Sequence, residues 1–212
     1  MARRSEHTRE QLHDLALKAA GRIVAREGIS ALTARRLAAA IGYTVGSLYL
    51  VFRNLDDLIL QLNAQTLDEL HGQARGVAEK QPDPRKRLLA LAGAYVRFAG
   101  EHRHLWRLVY EHRQPARLPA WYPERVARIF ALIEGALTEL APARRPAEIR
   151  QAARALWSGV HGVCVLAMTG RFDDSSETAV QAMASLLVSN FLDGFVATAR
   201  GARRPAARRR VK

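Results

Sequence analysis

Apolar residues recur every three to four positions along most of this 212-residue chain, which is the spacing of amphipathic helices. The first clear case is residues 9–27, and Gly28 then predicts a left-handed cap at its end. One face of this segment carries seven apolar residues: Leu12, Leu15, Ala16, Ala19, Ala20, Ile23 and Val24. No strand-like alternation persists anywhere, so the pattern predicts an all-α protein.

Two short helices follow the first one. Thr33 is a good N-cap for a helix over about 34–40, and Thr44 for a helix over about 45–51. Gly42 predicts a turn between them. A helix as short as the third is not stable alone, so its neighbours must hold it in place.

Longer helices fill the rest of the chain. Asn54 is a strong cap for the fourth, and the breaks that follow are rich in Pro, Gly, Asp or Ser. The predicted ranges are about 55–77, 85–100, 103–112, 122–140, 147–169 and 176–199. About nine helices result, and the expected organisation is an N-terminal domain over 1–54, a helical domain over 55–199 and a tail over 200–212.

The net charge of +13 is unevenly distributed. More than half of it lies in the tail RGARRPAARRRVK, which carries seven basic and no acidic residues. Such a tail is expected to be disordered, and it could touch nucleic acid or an acidic membrane surface by charge alone. No apolar signal segment is evident, and no run was expected to reach the ~20 apolar residues of a membrane span. A cytoplasmic protein without a membrane partner is therefore expected.

The first three helices match a helix-turn-helix pattern. Leu37 and Ile41 are expected to pack against Leu48 and Phe52, which lie four residues apart on one face of the third helix. The opposite face would then be presented to DNA, with Arg35 and Arg36 beside it. The residues of that face are small or uncharged: Thr44, Val45, Gly46, Ser47 and Tyr49.

These residues resemble the DNA-binding domain of the tetracycline-repressor (TetR) family. The resemblance covers about 9–60 and rests on GISALT (28–33), IGYTVGSLY (41–49), Phe52 and NLDDL (54–58). It implies DNA contacts that also include Thr33 and Arg53. The chain departs from the family at Leu55, where many members carry a lysine that contacts a phosphate.

The C-terminal half resembles the Trp-His-Gly type of ligand-binding domain in the same family. The resemblance rests on LWRLVYEHR (105–113) and ALWSGVHGVCVLA (155–167). It implies a buried effector pocket and a homodimer, in which helices near 147–169 and 176–199 form a four-helix bundle with those of the partner. The sequence permits this independently, because both helices carry two apolar stripes and each stripe must be buried.

The effector-pocket residues are less sharply indicated, because aromatic residues at helical spacing are more often plain core. A core role and a pocket role are equally weighted for Trp157 and His161. The candidates are Trp106, Tyr110, Trp121, Phe130, Trp157, His161 and Cys164. They suggest a hydrophobic effector with one polar group for His161.

The preferred hypothesis is a ligand-responsive repressor that binds double-stranded DNA at a palindromic operator. A non-specific, architectural DNA-binding protein is the first alternative, and a helical enzyme using His161 and Cys164 is the second. No catalytic constellation accompanies that pair, so we expect no enzyme and no cofactor. We also expect no metal site, since His102 and His104 lie two residues apart in what we predict to be an exposed corner.

Overall fold

The structure, a computed structural model, describes residues 7–112 and 117–201. Over those residues it contains nine α-helices, one short 3-10 helix over Ile29–Ala31 and no strand, which confirms the all-α prediction. The α-helices are α1 (Arg9–Glu27), α2 (Ala34–Ile41), α3 (Val45–Leu48), α4 (Leu55–Ala78), α5 (Pro84–Glu101), α6 (Arg103–Glu111), α7 (Trp121–Leu140), α8 (Pro146–Met168) and α9 (Glu177–Gly201).

Side-chain caps explain where the N-terminal helices begin. Thr8 and Gln11 form a reciprocal capping box at α1. The Thr33 hydroxyl accepts a hydrogen bond from the Arg36 amide at 3.1 Å at the start of α2. Asn54 Oδ1 accepts from an amide in the first turn of α4 at 2.7 Å. These bonds satisfy amides that have no partner within the helix.

Two glycines end the first two helices in different ways. Gly42 is left-handed (φ 74°, ψ 25°), and the next amide, that of Tyr43, donates to the Ala38 carbonyl at 2.9 Å. Gly28 has φ 81° but ψ 177°, so the predicted left-handed cap at this position is wrong. Its extended ψ instead leads the chain into the 3-10 helix, which the sequence pattern did not predict.

The chain forms two compact units. The first contains the chain up to Leu70 together with Glu101–Val126, and the second contains His71–Gly100 together with the chain from Ala127 onward. The boundaries lie inside α4, before the last residue of α5 and inside α7. The functional limits at residues 54 and 199 stay a prediction, and residues 202–212 of the predicted tail lie outside the described residues.

The first unit has a core around α1, α2 and α3. As predicted, Leu37, Leu48 and Phe52 are buried in it, and Ile41 packs against it. The α1 residues of this core are Ala16, Leu17, Ala19, Ala20, Ile23 and Val24. The four-residue α3 is therefore stabilised by its neighbours, as its length requires.

In the second unit, α8 and α9 pack against each other. The buried stripe of α8 contains Ile149, Ala153, Leu156, Val160 and Cys164, and that of α9 contains Val180, Ala184, Val188, Leu192 and Phe195. The two helices approach closely at Gly159, where an added Cβ would lie 3.0 Å from a methyl carbon of Leu187.

The stretch Glu177–Thr198 of α9 is long and apolar enough to cross a membrane, with a mean hydropathy of 1.4. The prediction that no such run exists is therefore wrong. The criterion rests on length and composition alone, and the core helices of soluble proteins also meet it.

Candidate nucleic-acid interface and effector residues

The segment around α3 is shaped by hydroxyl groups. Thr44 Oγ1 accepts a hydrogen bond from the Ser47 amide at 3.2 Å and also bonds the Ser47 hydroxyl at 2.9 Å. The helix ends at Leu48, three residues earlier than predicted, and the chain continues through turns over 49–51. Both hydroxyls therefore stabilise the start of α3 before any DNA is present.

Most of the predicted DNA-contacting residues are exposed. Tyr49 is 51% exposed, so its side chain is accessible from solvent. Val45 and Ser47 are half-buried, and Val45 packs against the core of the first unit. The exposed members of the predicted set are Thr33, Arg35, Arg36, Thr44, Gly46, Tyr49 and Arg53.

Arg36 is held by a carboxylate. Its guanidinium forms an ion pair with Glu27 at the end of α1. The hydrogen bond from Arg36 lowers the pKa of Glu27, and the same bond raises the pKa of Arg36. A DNA phosphate that binds Arg36 must therefore compete with Glu27, whereas Arg35 forms no ion pair with residues 7–112 or 117–201.

Arg53 is also paired. Its guanidinium donates to Asp57 Oδ1 at 2.9 Å, and its amide donates to Asp57 Oδ2 at 3.1 Å. Burial alone would raise the pKa of Asp57, but the hydrogen bonds and charge of Arg53 outweigh it and lower that pKa. Arg53 nevertheless keeps 76% of its side chain exposed, so its outer edge stays accessible.

Leu55 has a packing role. It is half-buried and lies against the core of the first unit, beside buried Leu58 and Ile59. An apolar side chain at this position packs against the core along its whole length, whereas a lysine could do so only with its methylene carbons.

Two residues that precede and begin α1 contact the segments on either side of α3, and neither is among the predicted DNA-binding residues. Arg9 donates from its guanidinium to the Leu50 carbonyl at 2.6 Å, just after α3. The His7 Nδ1 atom lies 2.8 Å from the Tyr43 hydroxyl, just before α3. Neither contact has a local sequence signal, because its partners lie 41 and 36 residues apart.

The predicted effector residues fall in both units. Trp106, Tyr110 and Trp121 belong to the first. Trp106 is buried, and its ring lies 5.1 Å from that of Tyr110. Trp121 is half-buried under the guanidinium of Arg125, 5.1 Å from the ring centroid.

Phe130, Trp157 and His161 form one aromatic cluster in the second unit. The Phe130 and Trp157 rings meet edge to face at 5.7 Å, and Trp157 stacks on His161 at 4.9 Å. His161 Nδ1 lies 2.8 Å from the hydroxyl of Tyr95, a residue that was not in the predicted set. Burial lowers the pKa of His161, so its imidazole is neutral at pH 7.

Cys164 lies in the buried stripe of α8. Burial raises the pKa of its thiol to about 12. A thiol in that state is not a nucleophile at neutral pH. Cys164 follows His161 by three residues in the sequence, but its buried position is the environment of a small hydrophobic residue.

Two buried polar residues of the first unit lie outside the seven predicted effector residues. Asn63 donates to the Leu108 carbonyl at 3.4 Å, while its Oδ1 atom has no hydrogen-bond partner among the described residues. The buried Tyr122 hydroxyl likewise has none, and burial raises the pKa of Tyr122. Their polar character within a core is the signal that could have identified them.

The predicted exposed corner EHRH is exposed at Glu101 and Arg103 but not at His102 and His104. Both side chains are half-buried, with His102 Nε2 3.6 Å from Glu69 and His104 Nδ1 3.0 Å from the Ala25 carbonyl. A groove of about 430 Å³ lies beside them. None of the seven predicted effector residues lines it; its lining is Glu27, Gly28, Ile29, Ser30, His104, Arg107, Leu108, Glu111 and His112.

A metal site finds no support within 7–112 and 117–201, where no group of three His, Cys, Asp or Glu residues could hold an ion.

Two family models match the chain. Residues 16–62 match the model of bacterial regulatory proteins of the tetR family. Residues 88–191 match the model of the tetracyclin repressor-like C-terminal domain. No curated protein matches the chain.

Solved structures share the fold over nearly the whole chain. A protein of unknown function from Rhodococcus sp. RHA1 is 25% identical with a TM-score of 0.75, and the match covers 91% of this chain and 98% of that one. FadR from Bacillus subtilis, in complex with stearoyl-CoA, is 14% identical (TM-score 0.67, coverage 86% and 98%). RolR, in complex with resorcinol, is 15% identical (TM-score 0.64, coverage 94% and 96%).

Proposed function

The chain belongs to the tetR family of DNA-binding transcriptional regulators, and from this we propose that it is a repressor that binds a palindromic operator as a homodimer. A small hydrophobic effector would release it from DNA. The observation that carries the proposal is the segment around α3, which is capped by Thr44, anchored by buried Leu48 and followed by exposed Tyr49.

In the proposed complex, α3 of each subunit enters the major groove. The two half-sites then lie about one helical turn, roughly 34 Å, or a multiple of it apart. Tyr49 and Arg35 are the side chains best placed to reach DNA, since both are exposed and Arg35 has no carboxylate partner within the described part of the chain. Arg36 and Arg53 would contribute once DNA phosphates displace their carboxylate partners.

Footprinting on DNA from upstream of the gene tests this function. The wild-type protein should protect a palindromic site, and Tyr49→Ala combined with Arg35→Ala should weaken its affinity at least about tenfold. Arg22→Ala removes an exposed arginine of α1 and serves as the control. Equal affinity for every sequence would overturn the repressor proposal and favour the architectural alternative.

The homodimer proposal is supported by an apolar surface on the second unit. On α8, Val165 and Leu166 are exposed, and on α9 Leu186 is 64% exposed. Each of these side chains exposes apolar area to water, which a second copy of the chain would cover. We therefore assign the apolar stretch of α9 to a helix bundle between two copies rather than to a membrane, in a cytoplasmic protein.

The effector proposal is supported by the cluster of Phe130, Trp157 and His161. A neutral imidazole bonded to Tyr95 can donate or accept a hydrogen bond, while the neighbouring rings offer an apolar surface. A pocket role for Trp106, Tyr110 and Trp121 stays a prediction.

A ligand screen tests the effector proposal. Long-chain acyl-CoA and small phenols are the first probes, because FadR and RolR were solved with stearoyl-CoA and resorcinol. Mass spectrometry of small molecules released from the purified protein covers other classes. A bound molecule should raise the melting temperature and release DNA, and His161→Ala should reduce both effects. Stabilisation that persists undiminished in His161→Ala would exclude this cluster as the pocket.

The basic tail over 200–212 separates the repressor from the architectural alternative. Deleting residues 202–212 should lower non-specific affinity and the salt dependence of binding, while sequence preference remains. Loss of the preference together with the tail would overturn the assignment of α3 as the element that reads DNA.

The enzyme alternative loses its nucleophile, because Cys164 is a thiol rather than a thiolate at neutral pH.

A further inference from the structure

The four-residue α3 is held at both ends by side chains from the start of α1. Its length gives it almost no stability of its own, so its orientation depends on what contacts it. Beneath it, Leu48 fixes its depth in the core. Val45 also packs against this core, but both residues lie within one helical turn, so contacts at the two ends add to what fixes the direction of the helix axis.

The contact after α3 is made to the backbone. The Arg9 guanidinium donates to the Leu50 carbonyl at 2.6 Å. Leu50 is the residue next to Tyr49, and its own side chain is 61% exposed. The bond therefore fixes the peptide group between Leu50 and Val51, one residue beyond the exposed tyrosine, without relying on burial of the Leu50 side chain.

The contact before α3 is made to a side chain. His7 Nδ1 lies 2.8 Å from the Tyr43 hydroxyl, and the two rings meet edge to face at 6.0 Å. Tyr43 lies between the left-handed Gly42 and the N-cap Thr44. Holding its ring limits the movement of the turn that leads into α3.

We propose that His7 and Arg9, here called the α1 clamp, are positioning residues that set the orientation of α3 and thereby its discrimination between DNA sequences. The inference rests on the proposed function, in which α3 reads the operator. Specific recognition needs base edges and side chains aligned within a few tenths of an ångström, whereas non-specific phosphate binding tolerates movement. The α1 clamp therefore acts on the ratio of the affinity for the operator to the affinity for random DNA.

Arg9 variants separate the hydrogen bond from the charge. Arg9→Met keeps most of the stem but removes donor and charge, and Arg9→Lys restores both. With Arg9→Met, affinity for the operator should fall about three- to tenfold more than affinity for random DNA, in line with the loss of one hydrogen bond. Arg9→Lys should recover at least half of the discrimination. Arg22→Met, about 20 Å further along α1, controls for the loss of one positive charge.

The His7 contact is tested by a double-mutant cycle on the same two DNAs. Tyr43→Phe removes only the hydroxyl, and His7→Ala removes its partner. Each should lower discrimination, and the double variant should be no worse than His7→Ala alone, because all three variants lack the hydrogen bond and both His7 variants also lack the ring contact. Thermal unfolding of every variant, with binding measured well below the melting temperature, separates a change in discrimination from a loss of folded protein.

Two outcomes overturn the proposal. If Arg9→Met lowers the affinity for operator and random DNA equally and reduces the salt slope by about one, Arg9 is only a phosphate contact. If the effects of His7→Ala and Tyr43→Phe add, their contact does not position α3. A wild-type protein that binds all sequences equally would instead overturn the proposed function, and the clamp with it.

Discussion

The shortest and the longest α-helices of the described residues expose opposite kinds of surface. The four-residue α3 begins with two bonded hydroxyls and leads into exposed Tyr49. The 25-residue α9 buries one stripe and exposes Leu186 on another side. Both helices leave a surface that no described residue covers, but that of α3 is polar and that of α9 is apolar.

The difference follows from what stabilises each helix. Because the caps and the core residue Leu48 stabilise α3, its outer residues contribute little to folding and are available for DNA. The length and buried stripe of α9 stabilise it without Leu186, so that side chain only exposes apolar area to water. An exposed polar surface is soluble as it stands, whereas an exposed apolar one is expected to be covered by another chain.

The largest effect should come from removing the support of α3. Leu48→Ala leaves a cavity in the core of the first unit and should lower the free energy of unfolding by about 3 kcal/mol. Leu50→Ala is the matched control, since its side chain is exposed, and it should stay within about 0.5 kcal/mol of the wild type. Urea denaturation measures both, and equal losses would show that α3 is not held through Leu48.

The next largest effect concerns the apolar surface of α9. Leu186→Asp should raise the dimer dissociation constant about a hundredfold, because an unpaired carboxylate would be buried at the interface. Sedimentation equilibrium measures the constant. Leu50→Asp adds the same charge to an exposed leucine of the first unit and should leave the dimer intact. An unchanged dimer in Leu186→Asp would remove α9 from the interface.

A smaller effect is expected beside α3, where Glu27 holds Arg36. Glu27→Gln should free the guanidinium, raise the affinity for random DNA about threefold and steepen the salt slope by about one. Glu111→Gln removes a carboxylate from a comparable pair, with Arg107, and should leave DNA binding nearly unchanged. Similar gains in both variants would point to net charge rather than to Arg36.

The smallest effect is expected at Cys164, on the buried side of the helix that packs against α9. With a pKa of about 12, the thiol should not react with iodoacetamide at pH 8 within hours in the native protein. In urea it should react fully, because the unfolded thiol titrates near pH 8.5. Mass spectrometry measures the adduct, and rapid labelling of the native protein would revive a chemical role for Cys164.

The helix starts were predictable because their chemistry is local. Thr33, Thr44 and Asn54 each bond an amide three residues further along, so the residues that define each start lie together in the sequence. The packing of Leu37 against Leu48 was predictable for a related reason, since short helices with one apolar face have few ways to bury it.

The contacts that the sequence pattern missed join distant segments. The Arg9 guanidinium bonds a carbonyl 41 residues away, and His104 bonds one 79 residues away. An arginine or a histidine in a helical sequence pattern carries no indication of its partner, so the tertiary fold alone determines these bonds. The effector residues were hard to assign for the same reason, because an aromatic stripe has the same pattern in a core and in a pocket.

The close approach of α8 and α9 at Gly159 has an evolutionary consequence. An added methyl there would press on Leu187, which adjoins exposed Leu186 on α9. A substitution at Gly159, which faces Leu187 of the same chain, would thus reshape the surface that a second copy would meet. Duplicated copies of such a gene could diverge in pairing preference through this position, while every residue of the outer surface keeps its identity.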